Sequence, residues 1–132
     1  MIEVFAGIIY SGSRILCFKK GTSKHSYLSN KYEFPGGKLE SNESPEQALV
    51  REFKEELDLD INIESLCLVC SIDYTYPDFD VRIHAFLVPH IGKDLILKEH
   101  TSMMWVSIYD LQSLDWVPAD LQIISKIGEI LE

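Results

Sequence analysis

The sequence is poor in cysteine, in long apolar runs and in positive charge, and each shortage excludes a class of protein. Three cysteines in 132 residues are too few for the disulfide framework of a small secreted domain, so a reducing compartment, the cytoplasm, is expected. No stretch approaches the roughly 18 consecutive apolar residues of a membrane-spanning helix. The start of the sequence, residues 1–4, lacks the basic segment and cleavage signal of a secretory leader, so none is expected.

Positive charge is scarce, because Lys and Arg number 12 against 21 Asp and Glu, giving a formal net charge of −9 at pH 7. Proteins that bind DNA or RNA present a basic surface, so neither a nucleic-acid polymer nor a membrane is expected as a partner. A small polyphosphate still fits if metal ions neutralise the charge on both sides. Length and an apolar content of 46% predict one globular domain over residues 1–132, acting as a monomer or a homodimer.

Cys67 and Cys70 have the C-x-x-C spacing of redox and zinc motifs. They fall inside an apolar run, residues 61–71, that is typical of a β-strand. Side chains three positions apart on a regular strand point to opposite faces of the sheet. The two thiols are therefore expected to lie apart, and no redox or zinc site is predicted.

Residues 44–57 predict an α-helix with a well-defined start. Ser44 can accept a hydrogen bond from a free backbone N–H of the first turn, and Gln47 can complete a capping box. Pro45 fits the first helical position, where a missing N–H costs nothing. The apolar stripe of this helix ends at Leu57, where the helix is expected to end.

The acidic residues of this helix lie beside its apolar stripe rather than opposite it. Glu52 and Glu56 are one turn apart, and Glu55 flanks them. Like charges at this spacing repel by roughly 0.2–0.5 kcal/mol, and Arg51 offers partial relief because it can reach Glu55 at i+4. A solvated acidic face is one interpretation of the pattern. The other is a site for a hard divalent cation, because oxygen ligands suit Mg²⁺ and Mn²⁺.

At these residues the sequence resembles the signature of the Nudix hydrolases. That signature reads Gly, five residues, Glu, seven residues, Arg-Glu, a hydrophobic residue, any residue, Glu-Glu, any residue, Gly and a hydrophobic residue. The matching positions here are Gly37, Glu43, Arg51, Glu52, Phe53, Glu55, Glu56 and Leu59. The one departure is Asp58, where the family has a Gly whose left-handed conformation ends the helix and which Asp adopts less readily. Residues 32–38 resemble the MutT-like branch in particular.

The resemblance implies a metal-dependent hydrolase and suggests a role for each acid. The residues that it places at the metal are Gly36 through its carbonyl, Glu52, Glu55, Glu56 and Glu99. Mg²⁺ is the expected cofactor, with Mn²⁺ as the alternative. Glu52 is the favoured base for the attacking water, and Glu99, within residues 98–100 that resemble the family's catalytic loop, is the other candidate. Arg51 is expected to orient the carboxylates through hydrogen bonds, and Glu43 to be structural.

The rest of the chain predicts a mixed sheet between two helices. Strands are expected at residues 4–10, 14–18, 32–34, 61–71, 81–88 and 103–106, and a second helix after Pro118. The glycine pair at residues 36–37 is predicted as a turn. The pattern leaves the order of the strands open, and the resemblance implies the Nudix α/β/α sandwich over essentially the whole chain.

The substrate is expected to be a nucleoside triphosphate. Residues 105–106 and 116–120 resemble MutT-like enzymes that act on these nucleotides, including CTP pyrophosphohydrolases. The implied products are a nucleoside monophosphate and pyrophosphate, after attack of water on the β-phosphorus. The candidate substrate-binding residues are Lys20 and Lys38 for phosphates, Phe34 and Tyr76 for the base, and Asp120 for a hydrogen bond to the base. The alternatives are ordinary core packing for the aromatic residues and solvated charge for the lysines.

Asp120 suggests which base is preferred. An ionised carboxylate only accepts hydrogen bonds, so it favours an exocyclic amine such as N4 of cytosine in CTP, dCTP or their 5-substituted forms. A protonated Asp120 could donate instead, which would admit 8-oxo-dGTP. MutT enzymes that remove 8-oxo-dGTP carry an Arg where this sequence has Phe79 and an Asn where it has Asp120. A role in removing that mutagenic nucleotide is therefore the alternative.

Two interpretations from other classes stay open at this point. One is a catalytically silent Nudix domain that binds a nucleotide and regulates another process, and the presence of Glu52, Glu55 and Glu56 speaks against it. The other is an acidic structural module that binds a metal ion. That interpretation leaves the glycine pair and Asp120 unexplained.

Overall fold

The computed structural model describes residues 1–90, 92 and 94–131. The strands are β1 (Ile2–Ser11), β2 (Arg14–Lys19), β3 (Tyr32–Glu33), β4 (Gly36–Lys38), β5 (Cys67–Thr75), β6 (Asp80–Pro89) and β7 (Ser102–Ser107). The α-helices are α1 (Pro45–Leu57) and α2 (Pro118–Leu131), and 3-10 turns cover Ser26–Leu28, Ile63–Ser65 and Leu111–Ser113. Within these described residues, no helix is both long and apolar enough to cross a membrane.

The sheet is mixed, and the parallel pair β1 and β6 forms its centre. These two strands run in register from Ile2 opposite Val81 to Tyr10 opposite Pro89. The strand order is β3-β2-β1-β6-β5, with β4 paired to β1 and β7 paired to β2. Parallel neighbours need a long crossover, and the segment between β1 and β6, which includes α1, provides it.

Alternate residues of β1 contribute to the two layers of the hydrophobic core. Phe5 and Ile9 pack with Phe53 of α1 in one cluster. Ile8 packs with Ile127 of α2 in the other cluster. Because a strand directs successive side chains to opposite faces, the two helices cover the two faces of the sheet. The predicted α/β/α sandwich, with a mixed sheet between two main helices, is confirmed.

The predicted start and end of α1 are confirmed. The Gln47 backbone N–H donates to the Ser44 hydroxyl at 3.1 Å, and the Ser44 N–H donates to the Gln47 side chain at 3.0 Å, which completes the capping box. Pro45 occupies the first turn. Asp58 adopts the left-handed conformation, with φ 53° and ψ 39°, and its N–H bonds to the Phe53 carbonyl. Asp therefore ends the helix in the way that Gly does in the family signature.

Two segments differ from the sequence prediction. Residues 36–38 form strand β4 rather than a turn, because Gly37 pairs opposite Phe5 of the central strand. Residues 61–66 lie outside the strand predicted there, because the Asn62 side chain accepts the Glu64 N–H and begins a 3-10 turn. Strand β5 starts at Cys67 and continues to Thr75.

The prediction that Cys67 and Cys70 face opposite sides of the sheet is wrong. Cys67 lies opposite Leu87 of β6 and Cys70 lies opposite Ala85, with a bulge between Leu68 and Cys70. Leu87 and Ala85 belong to the same core cluster, and directly opposed residues share a face. The extra residue of the bulge therefore returns both thiols to one face. Both cysteines are free.

Candidate active site

The glycine pair brings β4 very close to β1 and next to α1. A Cβ atom on Gly36 would collide with the carbonyl oxygen of Phe5, so only glycine fits. A Cβ atom on Gly37 would lie 3.8 Å from the carboxyl carbon of Glu52. Gly37 therefore lies beside Glu52 of α1, and Gly36, the predicted carbonyl ligand, is its neighbour in the chain.

Arg51 binds several acids at once. Its Nε and Nη2 atoms donate to the two carboxylate oxygens of Glu43 at 2.7 and 3.0 Å, and its Nη1 donates to Glu52 at 2.7 Å. Nη1 also lies 3.6 Å from carboxylate oxygens of Glu40 and of Glu55. Hydrogen bonding to Arg51 lowers the pKa of Glu43. The predicted contact with Glu55 is confirmed, and the guanidinium fixes the orientation of Glu52.

Glu56 is the acid of α1 whose ionisation changes most. Burial, the hydrogen bond to Glu52 and the charge of Glu99 raise the pKa of Glu56 to about 9. The pKa of Glu52 is lowered instead, because it accepts hydrogen bonds from Glu56 and from Arg51. Burial and the neighbouring carboxylates therefore disfavour a negative charge on Glu56 in the absence of a cation.

Glu52 and Glu99 each lie close enough to Glu56 to disfavour its negative charge, so a cation beside Glu56 would be stabilised. Mg²⁺ and Mn²⁺ prefer such oxygen donors. Across residues 1–90, 92 and 94–131, no three His, Cys, Asp or Glu side chains already stand at metal-coordinating spacing. Binding would thus require Glu56 to lose its proton and the oxygens to close in. The chemistry of the donor set fits the predicted divalent cation.

The remaining predicted ligand of α1, Glu55, lies at the edge of this group. Its side chain is 60% exposed, and its Oε2 faces Arg51 rather than Glu56. Glu99 approaches Glu56 from the loop before β7. The adjacent Lys98 donates from Nζ to the carbonyl oxygen of Glu55 at 2.8 Å, which fastens this loop to the last turn of α1. The structure thus brings Glu52, Glu56 and Glu99 together and leaves Glu55 outside.

A cavity of about 260 Å³ opens beside the glycine pair. Most of the residues around it are apolar, and a few charged side chains stand at its edge. Its lining includes Val4, Phe5, Ala6, Lys20, Leu28, Glu33, Phe34, Gly36, Gly37, Tyr76, Phe79, Val81, Ile83, Val117 and Asp120. Apolar walls with a few polar groups are typical of sites for flat aromatic ligands. The predicted base-binding residues Phe34, Tyr76 and Asp120 all lie here.

Asp120 is the polar group of this cavity that is most enclosed. The residue is 5% exposed, and its Oδ2 accepts the Phe34 backbone N–H at 2.9 Å. In the described part of the chain, no buried side-chain oxygen lacks a hydrogen-bond partner, so the other oxygen of Asp120 opens to the cavity. Burial raises the pKa of Asp120 to about 8, against the lowering effect of the Phe34 N–H.

The two predicted aromatic residues are both buried, and both have structural contacts. Phe34 packs against Trp116, with ring centroids 4.8 Å apart. The Tyr76 hydroxyl accepts the Ala119 backbone N–H at 3.0 Å, at the start of α2. Tyr76 also lies 5.0 Å from the Phe79 ring. Each aromatic residue therefore combines core packing with a surface toward the cavity.

A second cavity, also of about 260 Å³, adjoins the first, because the two share lining residues. It is polar, and its lining is Lys20, Gly21, Thr22, Ser23, Glu33, Glu99 and His100. Lys20 and Glu33 line both cavities, and Lys20 Nζ lies 3.8 Å from Glu33 Oε1. Of the two predicted phosphate-binding lysines, Lys20 is thus placed at the site. Lys38 is exposed on β4 and lines neither cavity.

Sequence reasoning missed Glu33 and His100. The His100 Nε2 atom lies 3.0 Å from Glu33 Oε2, and the His100 side chain is only 6% exposed. The available signal for Glu33 was its charge, because it lies between the aromatic residues Tyr32 and Phe34 in a short strand. An alternating pattern of this kind ordinarily predicts a side chain that faces solvent, so Glu33 was not selected.

Comparisons with known proteins agree with this geometry. A protein-family model for the NUDIX domain matches residues 3–127. The chain is 32% identical over 130 residues to an 8-oxo-dGTP diphosphatase of Escherichia coli K12, covering 98% of each chain. It is 33% identical over 124 residues to a CTP pyrophosphohydrolase of the same strain, covering 94% of this chain and 89% of the relative. The solution structure of the E. coli ORF135 protein superimposes with a TM-score of 0.82 at 31% identity, covering 98% of this chain and 90% of that one.

Proposed function

This chain belongs to the Nudix family as a pyrophosphohydrolase of the MutT type, and we propose that it hydrolyses nucleoside triphosphates, cytosine nucleotides first, with the help of a divalent cation. The observation that carries the proposal is that two unlike cavities lie side by side. An apolar cavity lined by Asp120 and a polar cleft lined by Glu99 share the residues Lys20 and Glu33. A nucleotide has the same division between a flat base and a charged chain of phosphates.

The residues that would hold the cation are Glu52, Glu56 and Glu99, together with the Gly36 carbonyl. A divalent cation supplies charge neutralisation on the phosphates and makes water more acidic. Glu56 would serve as a ligand in its ionised form. Glu52, which Arg51 holds in one orientation, accepts the proton of the attacking water, and Glu99 is the second candidate for this step.

The resemblance to MutT-like enzymes implies the site of attack and hence the bond changes. Water attacks the β-phosphorus, so a new bond forms between the water oxygen and that phosphorus. The bond between the β-phosphorus and the oxygen bridging to the α-phosphorus breaks. The nucleoside monophosphate keeps the bridging oxygen, and pyrophosphate receives the oxygen of water. Lys20 lies in the polar cleft, where its ammonium can contact the β- and γ-phosphates that form pyrophosphate.

The preference for cytosine rests on Asp120 and Phe79. A carboxyl oxygen of Asp120 at the cavity can accept an amine hydrogen, since a protonated carboxyl group keeps acceptor capacity, and N4 of cytosine offers such a hydrogen. Phe79 lines the same cavity as an apolar wall. The similarity to a CTP pyrophosphohydrolase supports this choice.

A second candidate substrate is 8-oxo-dGTP, and the raised pKa of Asp120 favours it. Burial raises the pKa of Asp120 to about 8, so the carboxyl group carries a proton at pH 7 and can donate it to a carbonyl oxygen. The similarity to an 8-oxo-dGTP diphosphatase also supports this candidate.

Pyrophosphate release from a panel of nucleotides tests the proposal. The panel contains CTP, dCTP, UTP, dTTP, GTP and 8-oxo-dGTP, each measured with Mg²⁺ and with EDTA. We expect release only with Mg²⁺, and a kcat/KM for CTP or dCTP at least about tenfold above UTP and dTTP, the effect of one mismatched polar contact. A higher kcat/KM for 8-oxo-dGTP than for dCTP would select the second candidate. Absence of release from every nucleotide, while nucleotides still bind, would identify a silent binding domain.

A further inference from the structure

Three consecutive residues before β7 bind three different parts of the molecule. Lys98 Nζ donates to the carbonyl oxygen of Glu55 near the end of α1, at 2.8 Å. Glu99 faces the acids of α1. His100 Nε2 lies 3.0 Å from Glu33 Oε2 on β3. The backbone on both sides of Glu99 is therefore fastened, on one side to the acidic helix α1 and on the other to Glu33, in the wall of the apolar cavity that contains Asp120 (the base cavity).

The surroundings of His100 leave its ring one orientation. The ring packs against Phe18 of β2, with centroids 5.2 Å apart, and the side chain is only 6% exposed. The next residue, Thr101, donates its backbone N–H to the Lys19 carbonyl at 2.9 Å. Because a carboxylate only accepts hydrogen bonds, the Nε2 atom is the donor to Glu33. A buried hydrogen bond of this kind fixes the groups on either side of it.

Glu33 is the residue at which the two cavities meet. It lies opposite Phe18 in the pairing of β2 with β3. One carboxylate oxygen bonds to His100, and the other lies 3.8 Å from Lys20 Nζ. Its charge also contributes to the raised pKa of Asp120 inside the base cavity. A change in the position or charge of Glu33 should therefore affect both the base cavity, through Asp120, and Glu99, through His100.

We propose that His100 is a positioning residue that, through Glu33, holds Glu99 against the acids of α1 and couples occupation of the base cavity to the metal site. The inference rests on the proposed function, since it takes the base and the phosphates to bind on the two sides of Glu33. It assigns no contact between His100 and the substrate. Its effect should therefore appear in the rate of the chemical step, because a misplaced catalytic group lowers that rate without weakening binding to the same degree.

The chain contains a matched control for this pair. His84 Nε2 lies 3.2 Å from Glu3 Oε1, so the same two side-chain types meet at nearly the same distance. His84 lines neither of the two cavities. A substitution of His84 thus removes a His–Glu interaction, together with the His84 Nδ1 contact to the Ser71 hydroxyl at 2.8 Å, at a residue that lines neither cavity.

Steady-state kinetics of four proteins provide the first test: wild type, His100→Phe, His100→Gln and His84→Phe. Phe keeps the packing against Phe18 and loses the donor, whereas Gln can place a donor near the Nε2 position. We expect His100→Phe to lower kcat about tenfold with KM changed less than about threefold. His100→Gln should recover most of kcat, and His84→Phe should equal wild type. An unchanged kcat in His100→Phe, or an equal loss in His84→Phe, would overturn the proposal. If His100→Phe does not fold, His100→Asn, whose amide is too short to reach Glu33, replaces it.

A double-mutant cycle tests whether Glu33 carries the effect. Glu33→Met removes both oxygens at similar size, and it is combined with His100→Phe. If His100 acts through Glu33, adding His100→Phe to the Glu33→Met protein should change kcat less than about twofold, because interacting residues are non-additive. A full tenfold loss on that background would show that His100 acts by another route.

Metal binding gives a measurement that does not depend on turnover. Electron paramagnetic resonance of free Mn²⁺ yields its Kd with and without cytidine monophosphate. For wild type and His100→Gln, we expect the nucleotide to change the Kd for Mn²⁺ at least about fivefold, which is a modest coupling between two sites. For His100→Phe, we expect the ratio of the Kd values without and with the nucleotide to be near one. Equal ratios in wild type and His100→Phe would refute the coupling. Absence of pyrophosphate release by wild type would instead overturn the proposed function, so the two failures are distinguishable.

Discussion

The acidic site and the base cavity lie side by side, yet they are built in opposite ways. The ion pairs of the acidic site connect residues of one short stretch, since Glu40, Glu43, Glu52 and Glu55 all face Arg51. The base cavity collects its walls from the first strand to the second helix, from Val4 to Asp120. Local spacing therefore fixes the first region, and the topology of the whole sheet fixes the second.

The two regions also shift the pKa of a carboxyl group in opposite directions. The pKa of Glu52 is lowered by hydrogen bonds from Glu56 and then from Arg51. The pKa of Asp120 is raised to about 8 by burial, and only a backbone N–H and the charge of Lys20 oppose that rise. A group that stays ionised suits proton abstraction and cation binding. A group that is near its pKa at neutral pH suits the recognition of donors and acceptors.

The largest expected effect lies in the acidic site, at Glu52. Glu52→Gln should lower kcat by about 10²–10⁴, the range for loss of a general base, while the affinity for Mg²⁺ changes less than in Glu56→Gln. Kinetics at a series of Mg²⁺ concentrations separates the two quantities. If Glu99→Gln has the larger effect on kcat and Glu52→Gln mainly weakens metal binding, the two acids exchange roles.

The second prediction concerns Glu56. Glu56→Gln removes a negative ligand at nearly constant size, and we expect kcat to fall at least about a hundredfold while the thermal unfolding temperature is retained. Glu129→Gln, on the exposed surface of α2 beside Lys126, is the matched control and should retain wild-type kcat. Near-normal turnover of Glu56→Gln at every Mg²⁺ concentration would contradict the metal site.

The third prediction concerns the base cavity and should leave the acidic site untouched. Asp120→Ala should narrow the preference for CTP over UTP from at least about tenfold to about twofold. The dependence of the rate on Mg²⁺ concentration should stay as in wild type. If the ranking of nucleotides and their ratios of kcat/KM do not change, Asp120 does not read the base.

The contrast between local contacts and contacts set by the sheet also explains which features the sequence predicts. The capping box of Ser44 and Gln47, the contact of Arg51 with Glu55 and the pairing of Glu52 with Glu56 depend on neighbours within two helical turns. Their spacing along the chain is enough to predict them.

The features that sequence reasoning missed depend on strand register. The bond between Glu33 and His100 joins β3 to the loop before β7, and it exists because β2 pairs with both of these strands. The strand at residues 36–38 needs β1 as a neighbour, and the bulge before Cys70 needs β6. Periodicity within one segment contains no information about its partner, so these contacts need the folded sheet.

The smallest expected effect is on stability, and it tests the buried state of Asp120. Its folded-state pKa, about 8, lies above the ordinary value of 3.8, so between these pH values the folded protein binds the proton more tightly than the unfolded chain. Stability should therefore fall as pH rises from 5 to 8. The raised pKa of Glu56, about 9, acts in the same direction.

Asp120→Asn removes one of these two contributions and keeps an acceptor for the Phe34 N–H. Thermal unfolding at pH 5 and pH 8 should show a decrease in wild type that is smaller in the variant by about 3 °C or more. An equal decrease in both proteins would show that Asp120 is ionised in the folded state over this range.

The parallel pairing of β1 with β6 also affects the order in which parts of the protein can fold during synthesis. The segment between the two strands, residues 12–79, is 68 residues long, and closing so long a loop costs entropy, which slows the formation of contacts between them. During synthesis, α1 and its capping box can form soon after the ribosome releases them. The base cavity has walls on β1, on β6 and on α2, so it exists only when nearly the whole chain has emerged. A nascent chain therefore carries the complete acidic helix before it can hold a nucleotide.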